Sequence, residues 1–408
     1  MSGEPRFYPG QARLLRELLA RLQPHWRRDA ALPARLETLL RRDRRCGARD
    51  RRLYRELVYA AIRYLPWIEP MLADAPGPLE RTVAWLAAET PATQGFRAAL
   101  AAGWPPCPGG VAAKASWLGA DPDAVLPPWL REECPEAFAP AQRDALLARA
   151  PLWLRLQGLG PPAAALAEFA ERGWTWRQSE LLPGAVALAP EADVAATDAY
   201  RDGRVEIQDL GSQLLLESVG VESGGRWFDA CAGAGGKALQ LAGLLGPDGR
   251  IDAHDIRPAA LAELNRRAAR AGLAGRISTV SAAGEGYDGV LVDAPCSGSG
   301  TWRRSPHLKW VISAAQVAAC ARRQLALLGQ CAQLVRPGGL LVYATCSLGR
   351  SENEEVTRRF LATQPGFAVA PLARTFGGER RGAGLLFLPA THDSDGFFVA
   401  SLRRSGDK

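Results

Sequence analysis

Lysine is almost missing from this chain: of 50 basic residues only Lys114, Lys237, Lys309 and Lys408 are lysines, and the rest are arginines. Base composition of a genome explains such a skew, yet Lys237 and Lys309 fall inside segments that carry candidate chemistry, where an ammonium serves a specific role. None of the eight cysteines, Cys46, Cys107, Cys134, Cys231, Cys296, Cys320, Cys331 and Cys346, forms a Cys-x-x-Cys pair, so no structural zinc site and no other metal is expected. No apolar run approaches the roughly 18 residues of a membrane helix. The opening MSGEPRFYPGQ has no signal-peptide core, which makes a cytoplasmic protein without a membrane partner the expectation. No internal repeat is visible.

What is present describes a folded protein. A chain of 408 residues, 47% hydrophobic and 23% charged, exceeds one ordinary core and points to two or three domains. The net charge of +7 and a pI near 9.1 suit a polyanionic partner.

The first part reads as helical. Leu14, Leu15, Leu18, Leu19 and Leu22 share one face, and Leu53, Leu57, Ala60, Ala61 and Tyr64 form a second stripe that Pro66 ends. Between them Arg41–Arg52 is either a solvated helix end and turn or a phosphate-contacting patch. The spacing gives an all-α domain over 1–135, then a small α+β module over 136–204 in which Leu152, Leu154 and Leu156 alternate as in a strand. From 205 to 408 the runs RWFDA, GRIDAHDI, RISTVSA, YDGVLVDAP and GGLLVYATCS alternate with helical stretches or turns, as in a parallel α/β sheet. LLFLP and GFFVASLRR come next with only a loop between them, which implies an antiparallel tail.

The first of these strands runs into Asp229-Ala230-Cys231-Ala232-Gly233-Ala234-Gly235-Gly236-Lys237 and then a helix. Glycines there allow a sharp turn and close approach to a ligand, and free amides at a helix start favour a negative group. Asp255, ending the next strand, stands at the distance where a carboxylate accepts hydrogen bonds from a ribose. An adenosine-containing cofactor is the expectation, with a dinucleotide and S-adenosylmethionine both open at this point.

Two further strands end in Asp293-Ala294-Pro295-Cys296 and Thr345-Cys346-Ser347. Ligands bind beyond the carboxyl ends of parallel strands, so both thiols are carried to the rim that holds the Gly loop. Two small residues at tight turns would account for either cysteine alone, but not for both beside an aspartate and a cofactor loop. A thiolate adding to carbon 6 of cytosine turns carbon 5 into a nucleophile for a methyl sulfonium. A second thiol can then serve as base or assist release, and a carboxyl such as Asp293 can hydrogen-bond the edge of the base.

The segments VEIQDLGSQLL, DACAGAGGK, AHDI, VDAPCSGSGTWRRSPHLKW, YATCSLGRSENEEV and DGFFVASL, in this order from Val205 on, resemble the RNA 5-methylcytosine methyltransferases of the RsmB and NSUN types. That resemblance implies a Rossmann-like class I methyltransferase fold with a mixed seven-stranded sheet. It implies S-adenosylmethionine held by Asp229, by Cys231, Ala232, Gly233, Ala234, Gly235, Gly236 and Lys237, and by Asp255 and Asp293. It also implies Cys346 as nucleophile, Cys296 as the group promoting release, and small-subunit (16S) ribosomal RNA as substrate of a monomer. The N-terminal helices, with RRLYRELVYAAIRYLPWIE, look like the NusB-type RNA-binding domain of the RsmB subgroup. Two departures stand out: Ala234 replaces the usual proline, and VSAAGEG has Ala282 or Ala283 where the family offers an aspartate to adenine, leaving Glu285 as a substitute.

Arg303, Arg304, His307 and Lys309, flanked by Trp302 and Trp310, combine cations with aromatics in a manner that suits single-stranded RNA; Trp310 is equally suited to closing a core. His254 is expected to be a packed or edge residue, and Glu352-Asn353-Glu354 to cap and start a helix. Two other functions remain open on the sequence: an RNA-binding or assembly protein that keeps the fold without catalysis, and a nicotinamide-dependent oxidoreductase, which leaves the paired cysteines unexplained.

Overall fold

The computed structural model describes residues 8–158 and 162–406. It separates into two compact units, one of 1–149 with 302–313 and one of 150–301 with 314–408. The first boundary therefore falls fourteen residues later than the spacing placed it. The helix Pro140–Leu147 belongs to the helical unit because Asp144 accepts the amide of Val111, at the start of the helix Val111–Leu118, at 2.7 Å.

The helical unit is all-α among its described residues, built from Tyr8–Leu22, Leu32–Arg42, Ala48–Arg63, Pro78–Leu86 and shorter helices. Both predicted stripes are buried, Leu14 to Leu22 on the first helix and Leu53 to Ala61 on the third, with Tyr64 just beyond. The third helix ends at Arg63, before Pro66. Glu80 is buried and paired with Arg16 at 2.6 Å while also accepting the amide of Gly77, so one carboxylate ties two helices and caps one.

The second unit contains two sheets. Strands β1 (Leu152–Leu156), β2 (Trp176–Gln178), β3 (Ala185–Leu188) and β4 (Val205–Ile207) form an antiparallel sheet in the order β2-β3-β1-β4. The expected α+β module is thus present, but it shares a compact unit with the larger sheet instead of standing as a third domain.

That larger sheet carries β5 (Arg226–Asp229), β6 (Arg250–Ala253), β7 (Ile277–Thr279), β8 (Tyr287–Asp293) and β9 (Val335–Thr345) in parallel, ordered β9-β8-β5-β6-β7. Next to β9 come β10 (Phe367–Val369), β11 (Glu379–Arg381), β12 (Gly384–Phe387) and β13 (Phe397–Arg404), with β13 antiparallel to β9, β12 and β10. Nine strands replace the expected seven. The additional pair, β10 and β11, are three-residue strands with mostly exposed side chains, too short for a period-two pattern to register. Interior strands such as β8 and β12 are apolar on both faces, as a sheet covered on both sides requires.

Candidate active site

Register carries the site. Asp229 pairs with Leu291 across β5 and β8, and Asp293 with Ala344 across β8 and β9, so the three parallel strands end within a few residues of one another and their following turns share one rim.

The turn after β5 leads into the helix Gly236–Leu245. Gly235 has φ 88°, and a Cβ there would come within 2.8 Å of the Leu264 side chain, so glycine is required both for the turn and for the packing. The turn is pinned to the end of β6: Ala232 donates to the carbonyl of His254 and Gly233 to Asp255, each at 2.9 Å, while Gly235 donates to Ala232 at 2.8 Å. These three amides lie before the helix and are used within the turn and its neighbour, while the helix start at Gly236, where free amides were expected, carries no side-chain cap.

The charge surrounding that turn is acidic. Asp229 is buried, one oxygen accepting the amide of Cys231 at 3.3 Å and the other, Oδ2, having no partner. Burial, reinforced by the charge of Asp293, pushes its carboxyl up to about 7. Asp255 accepts from Gly233 and from the backbone and guanidinium of Arg257, which hold its carboxyl below the usual range. Arg257 itself is largely exposed and free to move aside. Asp293 pairs with the half-buried Lys237 at 2.8 Å. Burial would lower the Lys237 ammonium, but the carboxylate of Asp293 outweighs it and the net direction is upward. The Cys231 thiol is driven upward by burial and stays uncharged.

Beyond β8 and β9 the sulfurs of Cys296 and Cys346 lie 3.4 Å apart. The hydrogen bond to Cys346, together with burial, raises Cys296 well above an ordinary thiol, so Cys296 keeps its proton. The backbone behind them is close-packed: Gly300 donates to the carbonyl of Cys346, and a Cβ on Gly300 would collide with the carbonyl of Gly396.

Glu352 lies under both cysteine turns, fully buried. Its carboxylate accepts from the amide of Ser297 at 2.8 Å, the hydroxyls of Ser297 and Ser347 at 2.5 and 2.6 Å, and Gln324 at 3.1 Å. Asn353 accepts from Thr345 at 2.6 Å and donates to the carbonyl of Ser347 at 2.9 Å. The helix Glu354–Thr363 does start here, but no Asn353 side chain caps it, so the expected capping role is corrected. Glu352 is the site residue the sequence reading missed. Its signal was its place in the Glu352-Asn353-Glu354 run that follows the Thr-Cys-Ser turn, which a helix start explains equally well.

The four residues read as RNA contacts belong to the helical unit. The segment 302–313 is packed within the helical unit, where Lys309 donates to the carbonyl of Arg63 at 2.9 Å, Trp310 to Ile62 at 2.6 Å, and a ring nitrogen of His307 meets the carbonyl of Ala30 at 3.1 Å. Arg303, His307 and Lys309 are buried, so their reading as an RNA surface is corrected; Arg304 alone of the four is exposed. Trp310 closes the core. Glu285 does not reach the cofactor turn: it lies just before Tyr287, which starts β8 at the end opposite Asp293, about 20 Å along the strand. His254 is an edge residue as expected, its ring nitrogen on the carbonyl of Val280 at 3.1 Å.

A family model described as 16S rRNA methyltransferase RsmB/F matches residues 216–403. Ribosomal RNA small subunit methyltransferase B of Xanthomonas campestris pv. campestris is 32% identical over 297 residues, which cover 69% of this chain and 67% of that protein. A probable ribosomal RNA small subunit methyltransferase B of Bacillus subtilis is 33% identical over 260 residues, 60% of this chain and 57% of its own length. The chain thus spans between about half and two thirds of these relatives. In fold, the crystal structure of PH0851 matches 99% of the chain with a TM-score of 0.72 at 22% identity.

Proposed function

Because the chain belongs to the RsmB/F family of ribosomal RNA methyltransferases, we propose that it methylates carbon 5 of a cytosine in small-subunit (16S) ribosomal RNA, with S-adenosylmethionine as donor. The observation that carries this reading is the 3.4 Å approach of the Cys296 and Cys346 sulfurs on the rim that also holds the Gly turn and the Lys237–Asp293 pair.

The turn fits this cofactor better than a dinucleotide. The partnerless Oδ2 of Asp229 is a buried acceptor that an ammonium would satisfy. Asp229 and the Cys231–Lys237 turn would hold its amino-acid end, and Asp255, once Arg257 swings away, its ribose. When bound, S-adenosylmethionine supplies an electrophilic methyl group.

The chain's own residues prepare and clear the base. Cys346 adds through sulfur to carbon 6 of a flipped-out cytosine, and the electrons of the carbon 5–carbon 6 double bond become available at carbon 5. Cys296, which keeps its proton beside Cys346, is the thiol available for release. After carbon 5 is methylated, the sulfur–carbon 6 bond breaks, Cys296 passes its proton to the departing Cys346 sulfur, and the resulting Cys296 thiolate takes the carbon 5 proton as the double bond is restored. Asp293, anchored by Lys237, hydrogen-bonds the amino and ring-nitrogen edge as charge develops. The helical unit, read as NusB-like, binds RNA through exposed arginines such as Arg42, Arg44, Arg49 and Arg52.

Incubating the protein with labelled donor and unmodified 16S RNA, followed by bisulfite sequencing, tests the reading. One protected cytosine is expected, lost in Cys346→Ala. Label at another base or on protein would overturn it.

A further inference from the structure

Cys296 and Cys346 come from different turns fifty residues apart, and neither turn is held by the other's backbone alone. Two side chains bond the residue following each cysteine, Ser299 and Glu352, and of these only Glu352 carries charge, reaching Ser297 on one turn and Ser347 on the other. The two hydroxyls also meet each other at 3.3 Å, and Ser299 bridges from Ser347 at 3.2 Å to the amide of Leu348 at 2.8 Å. The buried Glu352 carboxylate accepts from four donors, so it gathers groups that would otherwise be stranded. Its backbone is held as well, its carbonyl accepting from the hydroxyl of Tyr343 on β9 at 2.5 Å.

We propose that Glu352 is a positioning residue that clamps the two cysteine turns in register, so that the two sulfurs work as a pair on one pyrimidine. This role rests on the proposed methyl-transfer reaction. Glu352 acts on the sulfurs only through Ser297 and Ser347, and its negative charge beneath Cys296 adds to the forces that keep that thiol protonated. Beside Cys296 the titratable groups are Cys346, Glu352 and Tyr343, and the last is itself held as a neutral hydroxyl by burial.

Two independent readouts test the clamp. Phenylarsine oxide, which exchanges its oxygen for two thiol sulfurs and releases water, reports whether two sulfurs lie close enough to bridge, with no RNA or cofactor needed. The whole protein should capture it tightly, and Cys346→Ser should remove that capture. Glu352→Ala should weaken capture by about tenfold or more, because four buried donors lose their acceptor. Glu352→Gln keeps an acceptor oxygen and should restore most of it. In methyl transfer, Glu352→Ala should lower kcat by on the order of a hundredfold with KM for RNA little changed, because Glu352 touches no substrate. Should Glu352→Ala fail to fold, Ser297→Ala and Ser347→Ala each remove one arm of the clamp and should shift both readouts in the same direction. A folded Glu352→Ala protein with wild-type arsenical capture and wild-type kcat would overturn the clamp. Wild-type protein that captures the arsenical but methylates no cytosine would instead overturn the proposed reaction and leave the pairing of the sulfurs standing.

Discussion

Asp293 and Ala344 face each other across β8 and β9, and that single register pair brings Cys296 and Cys346 off the sheet side by side. A slip of one residue would turn every side chain of one strand to the opposite face and separate the sulfurs. The site is therefore a property of strand alignment, and each group that the alignment delivers has a measurable consequence.

Cys296→Ala should bind RNA and form the bond from Cys346 to the base but release it slowly. Turnover is expected to fall by about a hundredfold or more, the usual contribution of a proton-transfer group. A protein–RNA band should survive denaturing electrophoresis, and its absence would remove Cys296 from the release step.

Asp229 makes cofactor binding sensitive to pH. Its folded value near 7 lies above the ordinary carboxyl value of about 3.9. The stability this raised group contributes is complete at pH below about 4 and is lost as pH rises through 7, because ionisation is opposed by burial. A cationic ligand favours the ionised form, so the affinity for S-adenosylmethionine should rise about tenfold between pH 6 and pH 8. Calorimetry at the two values checks this, and Asp229→Asn should flatten the dependence. A pH-independent wild-type affinity would contradict the assigned contact.

Lys309 should contribute nothing to the salt dependence of RNA binding, since its ammonium is buried against the carbonyl of Arg63. Lys309→Met is expected to leave the slope of log affinity against log salt unchanged. Arg44→Ala, on the exposed turn between two helices, or Arg49→Ala, at the exposed start of the second of them, should reduce it by about 0.7–0.9 per lost phosphate contact. Filter binding across a salt series distinguishes the two sets, and a shallower slope in Lys309→Met would restore it as a phosphate contact.

Much of this was legible in the sequence because it is local. The leucine stripe from Leu14 to Leu22, the Gly turn after Asp229 and the strand-end positions of Cys296 and Cys346 follow from periodicity and from where α/β sheets bind ligands. The features that stayed hidden depend on distant partners. The run around Lys309 looks like an RNA surface because cations and tryptophans alternate, but its acceptors are carbonyls about 250 residues away. Glu352 reads as a helix start because the serines it gathers lie on two turns that only the folded sheet brings together. Strands β10 and β11 are three residues each, below the length at which alternation is a signal.

The central claim is that the sulfur of Cys346 bonds to the pyrimidine. RNA carrying 5-azacytidine at the target has no carbon 5 proton to lose, so an adduct formed on it persists. Digestion of that adduct formed by the wild-type protein, followed by mass spectrometry, locates the nucleotide. The account predicts it on the peptide containing Cys346; a nucleotide on Cys296, or no adduct at all, would contradict it.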